Sequence, residues 1–580
     1  MVGRGHGDDD SARNAPLRHA RREGKAPVTG STRGAASEDG AQGVPLTLPG
    51  SVCLMARFAD GGRRGDAAGQ RADDLEPDEK TLKAAARAYQ KARRYEKKFD
   101  YANAAEWRRR AIRLGHESPD SYAQLGVCLT RIEDYKGAAE AYQRSIDAED
   151  APLARFTAYA FLLRRTGEPE RAERIYQRAW ERFPCGRLAL ELGRETQSSD
   201  VFLMMAGDGA RAPELEALRH ALGARDAREG DAIGMLARLA DRPELSAYFW
   251  LYLYARLFRE KFAAAALLAK RIAAEHVLAA AEDAPPQSVE ELHLAVAAAC
   301  YAERFDTGHE LVSRFAAEQA TDENRAAALA VTLDLLMSEG RVDEARRLLA
   351  DRGEAGDAAF RDMLRGKSCA IVGPAVTGVS AGAEIDAHDL VARTNVTDQA
   401  LIENNRALAG ARTDIIFYGT GYVRSRAQKI LDYLAAHPAK LIVLRHPSTR
   451  RRFAKSLPEQ PSRLWASLKK RDFIGHGFAL RHILHDLVLH ADRPVSVYGA
   501  DFYLGDQPHY AGYFDGGMDL WFEYARHDVF DTFMFMKRLA DAGHIKCDPV
   551  LQAILSEDIE HFASRISNRL ENDGRERKVA

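Results

Sequence analysis

No run in this chain reaches the roughly 20 consecutive apolar residues that cross a bilayer. The longest candidate, Leu251–Ile272, is broken by Arg256, Arg259, Glu260 and Lys261, and Val277–Ala281 is far too short. The first residues carry charge but no apolar stretch of the kind a secretory signal needs. Cysteine is scarce, with six in 580 residues: Cys53, Cys128, Cys185, Cys300, Cys369 and Cys547. They form no CxxC pair and no Cys/His cluster at metal-ligand spacing. That argues against a zinc site and a disulfide framework, and for a reducing compartment. An excess of either charge is missing too. The 83 basic and 85 acidic side chains leave a net charge of −2, too even to gather nucleic acid or an anionic membrane over the whole surface. The expected location is cytoplasmic, at most peripheral at the inner membrane face, with no transmembrane segment and no nucleic-acid partner.

What is present is apolar content of 46%, enough for packed domains, and a length that suggests three or four of them. Residues 1–78 are rich in Gly, Arg, Asp, Ala and Ser and poor in aromatic and β-branched residues. They are expected to stay disordered, because they cannot bury enough surface to offset their ordering entropy. Met55 is read as the true start. Residues 79–190 turn helical and repeat: Ala104, Ala138 and Ala172 lie 34 apart, as do Ala111, Ser145 and Ala179, and Arg108, Tyr142 and Tyr176. Small residues at fixed places let two helices approach closely, and this period resembles tetratricopeptide repeats. Such hairpins stack into an all-α solenoid whose concave face could hold a protein partner. Residues 191–360 remain helical without the clean register. There 262–267 and 342–349 read as second helices of degenerate hairpins, with Gly340 in a turn. No catalytic constellation falls in this half.

After Gly353–Gly356 short apolar runs alternate with helical stretches. The runs predict strands at Cys369–Gly373, Asp389–Asn395, Asp414–Tyr418, Leu441–Arg445 and Val495–Gly499, with helices near 424–436, 478–490 and 519–541. Such alternation predicts an α/β domain over 365–575, with an open, mostly parallel sheet covered on both faces. Ligands of such sheets sit beyond the carboxyl ends of the strands. The residues found there are Gly373-Pro374-Ala375, Arg393-Thr394-Asn395, Tyr418-Gly419-Thr420-Gly421, Arg445-His446 and Tyr498-Gly499-Ala500-Asp501. Glycine for close approach, with Asn, His and Asp, suits a polar ligand.

Two nucleotide signatures are missing. Gly373–Gly378 has the spacing of a phosphate loop, but Val379-Ser380 follow in place of the lysine. No GxGxxG follows the first strand, and no DxD, the usual metal–diphosphate clamp, occurs between 367 and 556. Beside these absences stand four motifs in order. Cys369-Ala370-Ile371-Val372-Gly373, then Gly382 through Ile385-Asp386, Asp389, Val391 and Arg393 to Asn395, resembles the large sialylmotif of the animal-type sialyltransferases. Ile474-Gly475-His476-Gly477-Phe478 to Tyr498-Gly499-Ala500-Asp501 resembles the small motif, Pro508-His509-Tyr510 the third, and His527-Asp528 through Leu539 to Ile545 the very small one. The resemblance covers about 200 residues, all in the last third of the chain. It implies a Rossmann-like glycosyltransferase.

The chain departs from that family at Pro374, His476 and Thr532, where Asn, Ser/Thr and Glu are usual; Asp531 sits beside the last. The partner of the large-motif cysteine is also absent, so Cys369 is expected to be a free thiol. The resemblance implies inverting transfer of sialic acid, or a related acidic sugar such as Kdo, from a CMP-sugar to a hydroxyl of a glycan or glycolipid acceptor. No metal and no cofactor are implied beyond the donor itself. His527 is assigned as the base, since imidazole titrates in the required range, and His509 as donor to the departing phosphate, aided by Tyr510 or Tyr513. Gly373, through its backbone, and Asn395 are expected against the nucleotide, with Gly477 opening a helix toward phosphate or ribose, and Tyr498 and Asp501 nearby. Asp501 reads equally well as a cap, Arg393 as a buried ion-pair partner, and Arg450-Arg451-Arg452 with Lys469-Lys470-Arg471 as a solvated face or a steering patch. The altered positions leave open a third reading, a repeat scaffold whose C-terminal domain has lost activity.

Overall fold

The computed structural model describes residues 78–579, apart from 197, 208–212, 225, 320, 351–354, 466–477, 508, 511, 512 and 514–518. The expectations for residues 1–77 and for His476, Gly477 and Pro508 fall outside the described residues.

The N-terminal region is helical and built from hairpins. Glu79–Glu96 pairs with Tyr101–Arg113, Pro119–Arg131 with Tyr135–Ile146, and Leu153–Arg165 with Pro169–Arg182. Ala104, Ala138 and Ala172, the first of the positions spaced at 34, are each 0% exposed at the helix–helix contacts. Asp100 and Asp134 cap the second helices of the first two hairpins by accepting from the backbone N–H of Asn103 and Gly137, as short polar side chains do at helix starts. Each turn passes through a left-handed residue two places before the second helix: Phe99 (φ 61°), Glu133 (φ 64°) and Gly167 (φ 79°).

The same turn recurs later in the chain. Ala247–Arg259 leads to Ala263–Asp283 through Lys261 (φ 69°), Val289–Tyr301 to Phe305–Glu318 through Glu303 (φ 58°), and Asp322–Glu339 to Val342–Ala350 through Gly340 (φ 86°). The hairpin thus outlasts the sequence register.

The C-terminal region is a parallel α/β sheet. Its strands are β1 (Cys369–Val372), β2 (Leu390–Thr394), β3 (Ile415–Tyr418), β4 (Leu441–Leu444), β5 (Ser462–Leu464), β6 (Val495–Tyr498) and β7 (Ile545–Cys547). They run in the order β5-β4-β3-β2-β1-β6-β7, every pairing parallel. Sequence reading gave five of these strands and missed β5 and β7. Strands buried on both faces read as unbroken apolar runs, as in Ile415-Ile416-Phe417-Tyr418, all buried. Alternate residues serve the two faces. Ile371, Ala392, Phe417, Val443 and Val497 join one core, and Val372, Val391, Ile416, Ile442 and Tyr498 face the other way.

The first of these cores is continuous with that of the helical region. It runs from Ala104 to Leu570 without interruption. Its centre is Ala247–Arg259, a helix with ten buried residues that packs on Gly186–Glu195 and on the C-terminal helix Leu520–Arg526. Phe258 stacks on Tyr524 at 6.1 Å and on Phe530 at 5.7 Å. Behind them Lys270, 0% exposed, forms an ion pair with the buried Asp528 and lies 3.9 Å from the Tyr301 ring. No described helix is long and apolar enough to cross a membrane.

Candidate active site

β1 has β2 on one side and β6 on the other, so the chain reverses its winding between β1 and β6. A crevice opens at such a reversal, beyond the strand ends. Two glycines fill the point where β1 and β6 leave the sheet. A Cβ on Gly373 would lie 2.3 Å from the Gly499 carbonyl oxygen, and one on Gly499, whose φ is +63°, would lie 2.7 Å from the Gly373 oxygen. The Gly373 N–H donates to Tyr498 O at 2.8 Å, and Ala375 N–H to Gly499 O at 3.0 Å. The N–H of Gly373 is therefore spent on the sheet, and the missing side chain allows the two strands to close on one another.

Three further residues make bonds within the protein. The Asn395 backbone is left-handed (φ 56°), and its Oδ1 accepts from Gly419 N–H at 3.0 Å, clamping the ends of β2 and β3. Tyr498 shares the sheet face of Val372 and Val391, and its hydroxyl donates to Glu384 Oε1 at 2.7 Å. Arg393 is buried as expected but meets carbonyls rather than a carboxylate: Arg412 O at 3.0 Å, Ala409 O at 2.6 Å and Gly410 O at 3.0 Å.

Asp501 organises the loop after β6. Its carboxylate accepts from Tyr503 N–H at 2.9 Å and Gly505 N–H at 3.0 Å. Burial pushes its pKa up, and these bonds oppose that shift. The turn it holds is strained, with Phe502 (φ 55°) and Tyr503 (φ 62°) both left-handed, a conformation that survives only when neighbours enforce it. Tyr524 supplies one such restraint, donating its hydroxyl to Phe502 O at 2.7 Å.

Tyr503, so placed, joins the two candidate histidines. Its ring is 5.5 Å from His509 and 5.1 Å from Phe478, and Phe478 stacks on His527 at 5.1 Å with an interplanar angle of 20°. His509 stacks on Tyr513 at 5.0 Å, and Tyr513 meets Tyr510 edge-on at 5.5 Å. Tyr510 N–H donates to Pro374 O at 3.0 Å, which anchors this segment at the end of β1. Burial depresses His509 to about 4, with the Glu523 carboxylate partly opposing. The imidazole is thus neutral at pH 7 and carries one N–H.

Sequence reading drew one helix over 519–541. The structure breaks it into Leu520–Arg526 and Val529–Asp541, with His527 in extended backbone and Asp528 capping the second helix through Asp531 N–H at 3.1 Å. The break turns His527 back toward Glu523, whose Oε2 lies 3.2 Å from Nε2. Burial raises the Glu523 pKa, but the bond to His527, then the charges of His527, Arg526 and Arg164, outweigh it and hold the carboxyl below its usual range. Glu523 was not singled out from sequence. Its signal was the spacing of four to His527, which puts both on one helical face. Thr532, at the position where the motif resemblance called for Glu, is buried and bonds Asp528 O at 2.8 Å, and the neighbouring Asp531 pairs with Arg481.

The helical region supports this helix from outside. Arg194 Nη1 donates to Ala525 O at 3.0 Å, and the Arg164 guanidinium lies 3.2 Å over the Phe522 ring. A carboxylate behind an imidazole fixes its tautomer and steadies the cation formed when it takes a proton. Cys369 is free and buried, with burial raising its thiol to about 12. The chain matches no family model and no curated protein.

Proposed function

We propose that the α/β region transfers an acidic sugar of the sialic-acid class from a CMP donor to an acceptor hydroxyl, and that the helical region is a tetratricopeptide-like solenoid fused to it. The observation that carries the reading is the Glu523–His527 pair facing His509 across Tyr503 and Phe478, beside the reversal of the sheet. In this reading Glu523 accepts from Nε2–H of His527 and so holds the tautomer of the base. The acceptor oxygen attacks the anomeric carbon, its proton passes to His527, and the carbon–oxygen bond to phosphate breaks to free CMP. Neutral His509 donates a hydrogen bond to the departing phosphate, with Tyr510 and Tyr513 walling off water. The order of the four sequence motifs and the doubly wound parallel sheet support this reading.

One set of contacts favours a second reading, a scaffold without activity. The Gly373 N–H, Asn395 Oδ1 and the Tyr498 hydroxyl, on residues that the motif resemblance assigned to the donor, bond inside the protein. The test is CMP release from CMP-sialic acid and from CMP-Kdo, with titration calorimetry of CMP alone. Turnover that His527→Ala abolishes supports the transferase. No turnover and no CMP binding with either donor establishes the scaffold.

A further inference from the structure

The helix Pro447–Ser456 leaves the carboxyl end of β4, on the edge of the sheet where the candidate active site lies. It carries Arg450, Arg451, Arg452 and Lys455, and no acidic residue occurs from Arg445 to Pro458. Arg445, Arg450, Arg451 and Lys455 are exposed, and among the described residues none of them has a carboxylate partner. Elsewhere in the same region Arg412, Lys440, Arg463 and Arg481 are all in ion pairs. Four exposed cations on and beside one short helix, in a chain with net charge −2, make a local field that the overall balance conceals. Parallel strands lie about 4.8 Å apart, so β4, three steps from β1, is roughly 14 Å along the edge. That is within reach of a short oligosaccharide bound in the crevice.

We propose that this face binds an anionic glycan through its carboxylate or phosphate groups, as the outer part of the acceptor. The word acceptor rests on the function proposed above; the binding does not. Two other anions fit less well. A membrane-seated helix presents an apolar face to the lipid, but Phe453, the large apolar side chain of this helix, is buried in the core. Among the described residues, the exposed large apolar side chains, Leu82, Val127, Ile132, Phe161 and Leu203, all belong to the helical region. Single-stranded nucleic acid uses exposed rings for stacking, whereas Trp465, under Arg445 at 5.3 Å, is buried.

The test is binding of oligogalacturonate, a phosphorylated mannooligosaccharide and a neutral maltooligosaccharide to the full chain, at low and high salt. Vesicles of phosphatidylglycerol and of phosphatidylcholine form a second arm. The variant is Arg450→Ser with Arg451→Ser and Lys455→Ser. Selective binding of one or both charged oligosaccharides supports the proposal, provided that the triple variant weakens it about tenfold or more at low salt and that the gap narrows as salt screens the charges. CMP binding and melting temperature should not change in the variant. The proposal is overturned if charged and neutral oligosaccharides bind alike, if the variant binds as wild type does, or if only the phosphatidylglycerol vesicles bind. Failure of wild type to bind CMP would instead sink the donor reading and leave the glycan measurement standing.

Discussion

Lys270 offers the sharpest test of how the helical region supports the site. It lies on Ala263–Asp283, fully buried, and its ammonium meets the Asp528 carboxylate one residue after His527. Replacing it with Met keeps the length of the side chain and removes the charge, leaving Asp528 buried without its cation. Breaking one side of a buried pair costs about 3–5 kcal/mol. Unfolding entropy scales with chain length, so for a body of roughly 500 residues a loss of that size lowers the melting midpoint by about 3–5 °C.

The pH dependence of that loss identifies the group responsible. Burial raises Asp528 to about 6 from an ordinary value of 3.8, although Lys270 pulls it down. A carboxyl that binds its proton more tightly when folded adds stability below its unfolded pKa and loses it as pH rises through the folded one. Without Lys270 the folded pKa rises further. Lys270→Met should therefore be clearly less stable than wild type at pH 8 and closer to it at pH 5. Adding Asp528→Asn should restore most of the midpoint, because two neutral groups replace an unpaired charge. Scanning fluorimetry at both pH values on the four proteins of the cycle measures this. An unchanged midpoint at pH 8, or an equal deficit at both pH values, would refute the buried pair as the source.

His527→Ala should slow CMP release by about 10²–10⁴-fold, the usual worth of a general base, and Glu523→Gln should slow it less, by roughly 10–100-fold, with KM little changed; steady-state kinetics on the active donor decide both. Gly499→Ala puts a Cβ 2.7 Å from the Gly373 oxygen at a left-handed residue, so it should lower the melting midpoint and weaken CMP binding together; an alanine variant that binds CMP normally would show that the crevice lies elsewhere. His509, held near 4 by burial, should keep its imidazole proton resonances constant from pH 8 to pH 5, assigned by comparison with His509→Gln. Its neutral form adds stability above pH 6.5 that drains away as pH falls toward 4. A titration midpoint near 6.5 would contradict its burial against Tyr513.

Much of the sheet was legible because buried parallel strands are apolar on both faces. The five runs read from sequence coincide with β1 to β4 and β6. The two missed strands are the edges, where three residues suffice and polar ones are tolerated: Ser462-Arg463-Leu464 and Ile545-Lys546-Cys547. Of the hairpins after residue 240, two were marked in the sequence by 262–267 and 342–349, and the one that turns through Glu303 was not, since no glycine stands in its left-handed position. Within the site, ring contacts link His527, Phe478, Tyr503, His509, Tyr513 and Tyr510, while the Gly373 N–H, Asn395 Oδ1 and the Tyr498 hydroxyl bond within the protein. Strand parity contained the signal for Tyr498, two residues from Ser496 and opposite Val497. Asp528 contained the signal for the helix break, as an aspartate placed three before another first-turn residue that it caps.

The aromatic helix Ala247–Arg259 has a consequence for how this protein could have arisen and how it can be divided. Phe258 is shared between Tyr524 and Phe530, so a cut between the helices and the sheet would leave wet, sticky surfaces on both fragments. Neither fragment could be traded as a module for a different partner. A mutation that loosens the helical region here would reach the His527 loop through packing alone.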